Sequence, residues 1–220
     1  MRRRLSSFGL SLAEMLVCMT IFALLTGLCF YVAVSGFRIF NQASGRQALQ
    51  RDARATFSWL QRDIGLSNLV RCTVSPHSAG GTSKDTLALA GLSSWQQPVP
   101  VDALGLPSWN TVIVYKVNAD GALSRYGHDA SDLGLAVPLQ AADVRQTLQQ
   151  AESGSAPFRD RRQLTPSVRS FSVSLDESRN VAVVDLLLQT ATVGSGVTHT
   201  RQEVLQLQTT ITAKNTWPRL

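Results

Sequence analysis

Glu14 is the residue best placed to do chemistry in this 220-residue chain. It stands five residues after Gly9, at the head of an apolar run over residues 15–34 that only Thr20, Thr26 and Gly27 interrupt. A carboxylate at the centre of a membrane costs roughly 2.5–3.5 kcal/mol, and less toward an interface. Such a group is kept where something uses it. The other reactive side chains are scattered. His77, His128 and His199 fall in segments read as loops, without HExxH or paired metal spacing, and His128-Asp129 has no G-x-S-x-G elbow to serve. Asp120, Asp129 and Asp132 read as turn-forming aspartates, a shared calcium ion being the alternative. The sequence has no phosphate-cradling glycine loop and no cysteine metal cage, so no metal or other cofactor is expected. The chain reads as a building block, not an enzyme.

The elements that position Glu14 follow from hydrophobic patterning. An apolar run of about 20 residues is long enough to cross a bilayer as a helix. Beyond it, Leu49, Ala53, Phe57, Leu60 and Ile64 recur at spacings of three and four, one stripe of a helix, while Arg46, Arg51, Arg54, Arg62 and Asp63 fall off that stripe. No proline occurs between Leu10 and Ile64, so a single helix of about 55 residues, roughly 80 Å, is expected. Its exit is expected at Gly65. Residues 69–74, 86–90, 111–117, 122–126, 168–175, 181–190 and 203–212 read as strands by their Val, Thr, Ile and Leu content. The pair 112–126 turns at Asn118-Ala119-Asp120-Gly121, and the last three strands form an antiparallel meander. In the strand at 168–175 the side of Arg169, Phe171, Val173 and Leu175 is expected to be buried, with Arg169 at its margin. Residues 75–83 and 93–108 read as loops. The stretch 149–163, with Arg159-Asp160-Arg161-Arg162, reads as a solvated loop, with a contact patch for a partner as the alternative. The fold class is α+β: a long N-terminal helix, one half membrane-spanning and one half amphipathic, packed on an antiparallel β-sheet head.

Charge and cysteine usage narrow the partners. The net charge is +6, but Arg2, Arg3 and Arg4 supply three positive charges and residues 37–71 carry six arginines against two aspartates. Residues 72–220 hold 12 basic and 12 acidic residues, so the head has no charge surplus with which to bind nucleic acid. The basic N-terminus fits the positive-inside rule, with the bulk of the chain on the other side of the membrane. Cys18 and Cys29 lie in the apolar helix and Cys72 is alone in the head, so no disulfide can form within it. A bridge from Cys72 to another chain is the alternative.

Short basic leader, glycine, apolar helix and a glutamate five residues on: this pattern resembles the processing site of type IV prepilins and pseudopilins. Gln50-Arg51-Asp52-Ala53-Arg54 and Leu60-Gln61-Arg62-Asp63-Ile64 are similar to the helix end of minor pseudopilins of the J type and related minor pilus proteins. So are Val114-Tyr115-Lys116-Val117 followed by Gly121-Ala122-Leu123-Ser124-Arg125, and the terminal run from Leu207 to Lys214-Asn215. The resemblance implies a leader at 1–9, a transmembrane helix at 10–36, an amphipathic helix at 37–66 and a pseudopilin head at 67–220. It implies cleavage between Gly9 and Leu10 by prepilin peptidase, N-methylation of Leu10, and a salt bridge in the assembly from Glu14 to a neighbour's terminal amine. Expected partners are other minor pseudopilins, the major pseudopilin, the peptidase and an inner-membrane assembly platform. The expected location is the inner membrane, single-pass, N-terminus cytoplasmic, with entry into a pseudopilus of a type II secretion system. A minor subunit of a type IV or DNA-uptake pilus is an alternative. A further rival is a signal peptide cut after Ala33-Val34-Ser35, which would release a soluble domain starting at Gly36.

Overall fold

With no proline to break it, the first helix runs unbroken. In the computed structural model, which describes residues 11–93, 101, 107–153, 160–192 and 201–214, α1 spans Leu12–Leu66, 55 residues. It outlasts the expected exit at Gly65 by one residue. Ser67 then turns extended, donates its N–H to the carbonyls of Asp63 and Ile64, and donates its hydroxyl to Ala90 O at 2.6 Å. The end of the helix is thereby tied to the sheet beneath it.

Burial divides α1 in two. Up to residue 48 the helix is exposed apart from half-buried Val34, Ser35 and Gly45; from Leu49 onward one face is buried. That face holds Leu49, Ala53, Thr56, Leu60, Asp63, Ile64 and Gly65. Two members differ from the expected stripe. Phe57 is only half-buried at the margin of the core, and Asp63 is buried. At about 100° per residue, Thr56 and Leu60 fall near the middle of the seat, so Phe57 stands at one edge and Asp63 turns inward at the other.

The head has two main sheets where one was expected. Strands β1 (Cys72–Ser75), β4 (Thr86–Gly91), β5 (Thr111–Val117), β6 (Leu123–Asp129) and β7 (Asp160–Thr165) form a five-stranded antiparallel sheet in the order β1-β4-β5-β6-β7. Strands β8 (Val168–Asp176), β9 (Val181–Thr192) and β10 (Arg201–Thr212) form the expected meander as a separate sheet, and β2 (Ser78–Ala79) pairs with β3 (Thr82–Ser83). A parallel bridge from Lys84 to Phe171 joins the two main sheets. Asp85 reinforces it: this buried carboxylate accepts hydrogen bonds from Ser83 Oγ at 2.6 Å, from the His77 amide at 3.3 Å and from the Val173 amide at 3.0 Å.

α1 lies against both sheets, with Leu60, Ile64, Leu87, Leu89, Tyr115, Phe171, Leu186 and Leu188 in one core. A second core fills the opposite face of the five-stranded sheet under α2 (Ala141–Ser153), which presents Val144, Leu148 and Ala151 to Ala88, Val112, Val114 and Trp109. This explains why every residue of β4 is buried: it is covered on both faces. The expected loop at 149–163 is corrected accordingly. Residues 149–153 finish α2, and 160–163 belong to β7.

Two further corrections are local. Residues 69–71 form a 3-10 turn, because Asn68 Oδ1 accepts the Val70 amide, and the strand begins at Cys72. In β8, Phe171 and Val173 are buried as expected, but a register shift at Val168/Ser170 lets Val168 be buried as well. The β5–β6 turn forms at the expected residues. Gly121, at φ +81°, takes the left-handed position there, and Asp120 Oδ1 accepts the Ala122 amide at 3.0 Å.

Candidate functional site

Among the described residues two constellations stand out, one at each end of α1. At the start, Gly9 and Leu10 lie outside the described residues. Ser11 is the N-cap: its hydroxyl accepts the Glu14 amide at 3.3 Å, and Glu14 Oε2 accepts the Ser11 amide at 2.8 Å. This reciprocal capping box satisfies two helix-end donors that have no intrahelical partner. The Ser-x-x-Glu spacing was its visible signal. Glu14 therefore already has a use within its own helix. Its carboxylate, with about four lone-pair sites, keeps acceptor capacity for a cation.

From that cap the helix presents apolar side chains all round. Leu16, Met19, Phe22, Leu25, Phe30 and Phe37 are each more than half exposed. The two threonine hydroxyls in this stretch bond to their own helix, Thr20 to Val17 O and Thr26 to Phe22 O, both at 2.8 Å, which suits a medium without water. The helix is long and apolar enough to cross a membrane: its best window has a mean hydropathy of 2.3 and no buried residue.

At the other end, the seat of α1 is polar at one point. Asp63 Oδ2 accepts Tyr115 Oη at 2.6 Å and Arg125 Nε at 2.6 Å. Tyr115 on β5 and Arg125 on β6 are direct cross-strand partners, so the sheet's register brings both donors under one carboxylate. The Asp63 side chain is 6% exposed and that of Arg125 is 21% exposed. Burial and the adjacent Asp63 charge push the Tyr115 hydroxyl well above its ordinary value, so it stays a donor. Burial works against the Arg125 cation, but the hydrogen bond and charge of Asp63 outweigh it and hold its pKa up. The result is a charged lock between helix and sheet. Beside it the Trp59 ring meets three guanidiniums: Arg162 at 4.5 Å, Arg125 at 5.1 Å and Arg62 at 5.5 Å.

The remaining reactive side chains are dispersed. His128 lies buried in β6, not in a loop; His77 is in the connection before β2, and His199 is outside the described residues. Asp120 sits in the β5–β6 turn while Asp129 ends β6, so the seven-residue strand holds them about 20 Å apart, too far to share one calcium ion. Among the described residues no three His, Cys, Asp or Glu side chains converge as metal ligands. Cys72 is buried, and burial pushes its thiol up to about 12, which removes it from the accessible thiols an interchain bridge needs. Compared with protein-family models, with curated proteins and with solved structures, the chain matches none.

Proposed function

We propose that this protein is a minor pseudopilin or minor pilin subunit without enzymatic activity. It is inserted by α1 with its N-terminus in the cytoplasm, cleaved between Gly9 and Leu10 by a prepilin peptidase and methylated on Leu10. It then enters a short helical fibre beside other minor pseudopilins and the major subunit, and helps to start or cap the pseudopilus of a type II secretion system. The alternative within the same class is a minor subunit of a type IV or DNA-uptake pilus.

The observation that carries this reading is the division of α1. Its second half is seated on the head, while its first half stands free with apolar side chains on every side and a carboxylate at its tip. A free apolar helix needs either lipid or other apolar helices, and a subunit that passes from membrane to fibre supplies both in turn. In the fibre Glu14 would neutralise the terminal ammonium of a neighbour. Leaving that ammonium buried and unpaired typically costs 3–5 kcal/mol.

The mature N-terminus tests the reading. Mass spectrometry of membrane fractions should give Leu10 in the presence of a prepilin peptidase and the intact leader in its absence, and Gly9→Phe should block the cut. A mature protein starting at Gly36 would instead identify a secreted domain. Residues 36–48 contribute nothing fully buried to the head, so that cleavage would also leave its core whole.

A further inference from the structure

Three guanidiniums on one indole need an explanation, because like charges repel. Arg125 and Arg162 are direct cross-strand partners on β6 and β7, an arrangement that is destabilising unless an anion offsets it. Asp63 answers Arg125. Among the described residues neither Arg62 nor Arg162 has a carboxylate within ion-pair distance, and both are exposed. Among the described residues what they share is the half-buried ring of Trp59, whose cation–π attraction is weak.

A cavity of about 210 Å³ opens beside them. Trp59, Arg62, Arg125, Ser93 and the Asp63 carboxylate line it together with apolar Leu66, Leu92 and Ile113, while Arg162 reaches the same Trp59 ring from outside the lining. Gly91 keeps the floor low: a Cβ there would sit 2.6 Å from Ile113 Cδ1. The pocket therefore combines a shallow apolar floor, a flat aromatic ring and the Arg62 guanidinium, which has no carboxylate partner among the described residues, whereas Arg125 is held by Asp63.

We infer that this pocket receives an acidic side chain from a protein partner, an Asp or Glu whose carboxylate meets Arg62 beside Trp59, with Arg162 adding positive charge at the same ring. Arginine forks match a carboxylate geometrically and hold it with charge-assisted hydrogen bonds. Position and charge argue against other anions. The apolar surface of α1 ends at Phe40, and Trp59 lies 19 residues on, about 28 Å along the helix, beyond the reach of a lipid headgroup. A nucleic acid needs an extended basic track, and the head has as many acidic as basic residues. A cavity of this volume takes one side chain.

The inference does not depend on cleavage after Gly9 or on fibre formation, and its failure would leave those readings standing. The test uses the full chain in an uncharged detergent, with a capped Glu-Asp-Glu peptide, its Gln-Asn-Gln counterpart and inorganic phosphate as probes. Calorimetry measures affinity, and the change in Trp59 fluorescence, obtained by subtracting a Trp59→Phe variant, places the ligand. The acidic peptide should bind more tightly than about 1 mM and weaken with salt, and the neutral peptide should not bind. Arg62→Gln and Arg162→Gln should each weaken binding about tenfold, and Arg62→Lys should recover part of it. Both arginines are exposed, so circular dichroism should be unchanged in the variants. Absence of saturable binding, equal affinity for the neutral peptide, or affinity untouched by both Gln variants overturns the site. Phosphate binding as tightly as the peptide overturns the assignment to a protein carboxylate.

Discussion

The two halves of α1 obey the same helical geometry and opposite solvation rules. Residues 12–40 expose nearly every large apolar side chain, whereas residues 49–66 bury one face and leave Arg51, Arg54 and Arg62 in water. In the first half both threonine hydroxyls bond within the helix; in the second the one buried charge is locked by partners from two strands. The lesson is that a single unbroken helix can serve as two parts. The head supplies stability to the second half alone, so mutations in each half should report on different things.

The lock offers the strongest way to break that division. Asp63→Ala leaves the Arg125 guanidinium and the Tyr115 hydroxyl without their acceptor at a nearly dry site. Removing one partner of a buried pair typically costs 3–5 kcal/mol, and denaturant unfolding should show a loss of that size. Arg54→Ala, exposed on the same helix, should stay within about 0.5 kcal/mol. Equal effects would mean that the seat is held by apolar contact alone.

Alkaline titration probes the same seat. Cys72 has a thiol raised from 9.0 to about 12, and Tyr115 is also raised, both first by burial. A raised acid is neutral in the fold and ionises more readily when unfolded. Its contribution is therefore full below pH 9 for the thiol and is lost as pH climbs toward 12. Completed, the thiol's displacement corresponds to about 4 kcal/mol. Stability measured against pH should fall across that window, and Cys72→Ala should flatten the fall; an unchanged slope would place the titration elsewhere.

How far residue patterns carried the fold depends on the element. Strands with alternating or wholly apolar runs, such as β5 and β9, were legible because period-two burial leaves its mark. α2 was missed because Val144, Leu148 and Ala151 are modest residues among glutamines, and their three-and-four spacing only matters once a sheet face needs covering. Asp63 was misread for a related reason. A charge at the edge of an apolar stripe normally faces water, and only the cross-strand pairing of Tyr115 with Arg125, 52 and 62 residues away, turns it inward. The arginine cluster at Trp59 needed the same tertiary knowledge. The capping box at Ser11 was legible but was overshadowed by the glycine five residues before Glu14.

Phe57 refines the boundary of the seat. Since its ring lies at the margin of the core, Phe57→Ala should cost about 2 kcal/mol, below the 3–5 typical of a fully buried phenylalanine. Leu60→Ala, at the centre and fully buried, should cost at least as much despite removing fewer atoms. Reversal of that order in denaturant unfolding would move the centre of the seat toward Phe57.

The smallest expected change in stability is the most telling about Glu14, because the residue has two separable properties. Its side chain caps the helix, and its charge can answer a cation. Glu14→Gln keeps an acceptor for the Ser11 amide, since Gln serves the capping box as Glu does, but it removes the charge. Ser11→Ala keeps the charge but deletes the hydroxyl that accepts the Glu14 amide, at a typical cost of about 1 kcal/mol confined to the first turn. Head unfolding should be the same in both variants, because no residue before Leu49 reaches the core. Faster amide hydrogen exchange at Glu14 should mark only Ser11→Ala. Co-purification with other minor subunits then separates the two properties. Loss in Glu14→Gln alone means that the carboxylate meets a neighbour's ammonium, and the first half of α1 is an assembly surface. Loss in Ser11→Ala alone means that assembly needs an ordered helix start and not a charge. Full assembly of both would reduce Glu14 to a helix cap on a membrane anchor, and the difference between the two halves would then lie in solvent alone.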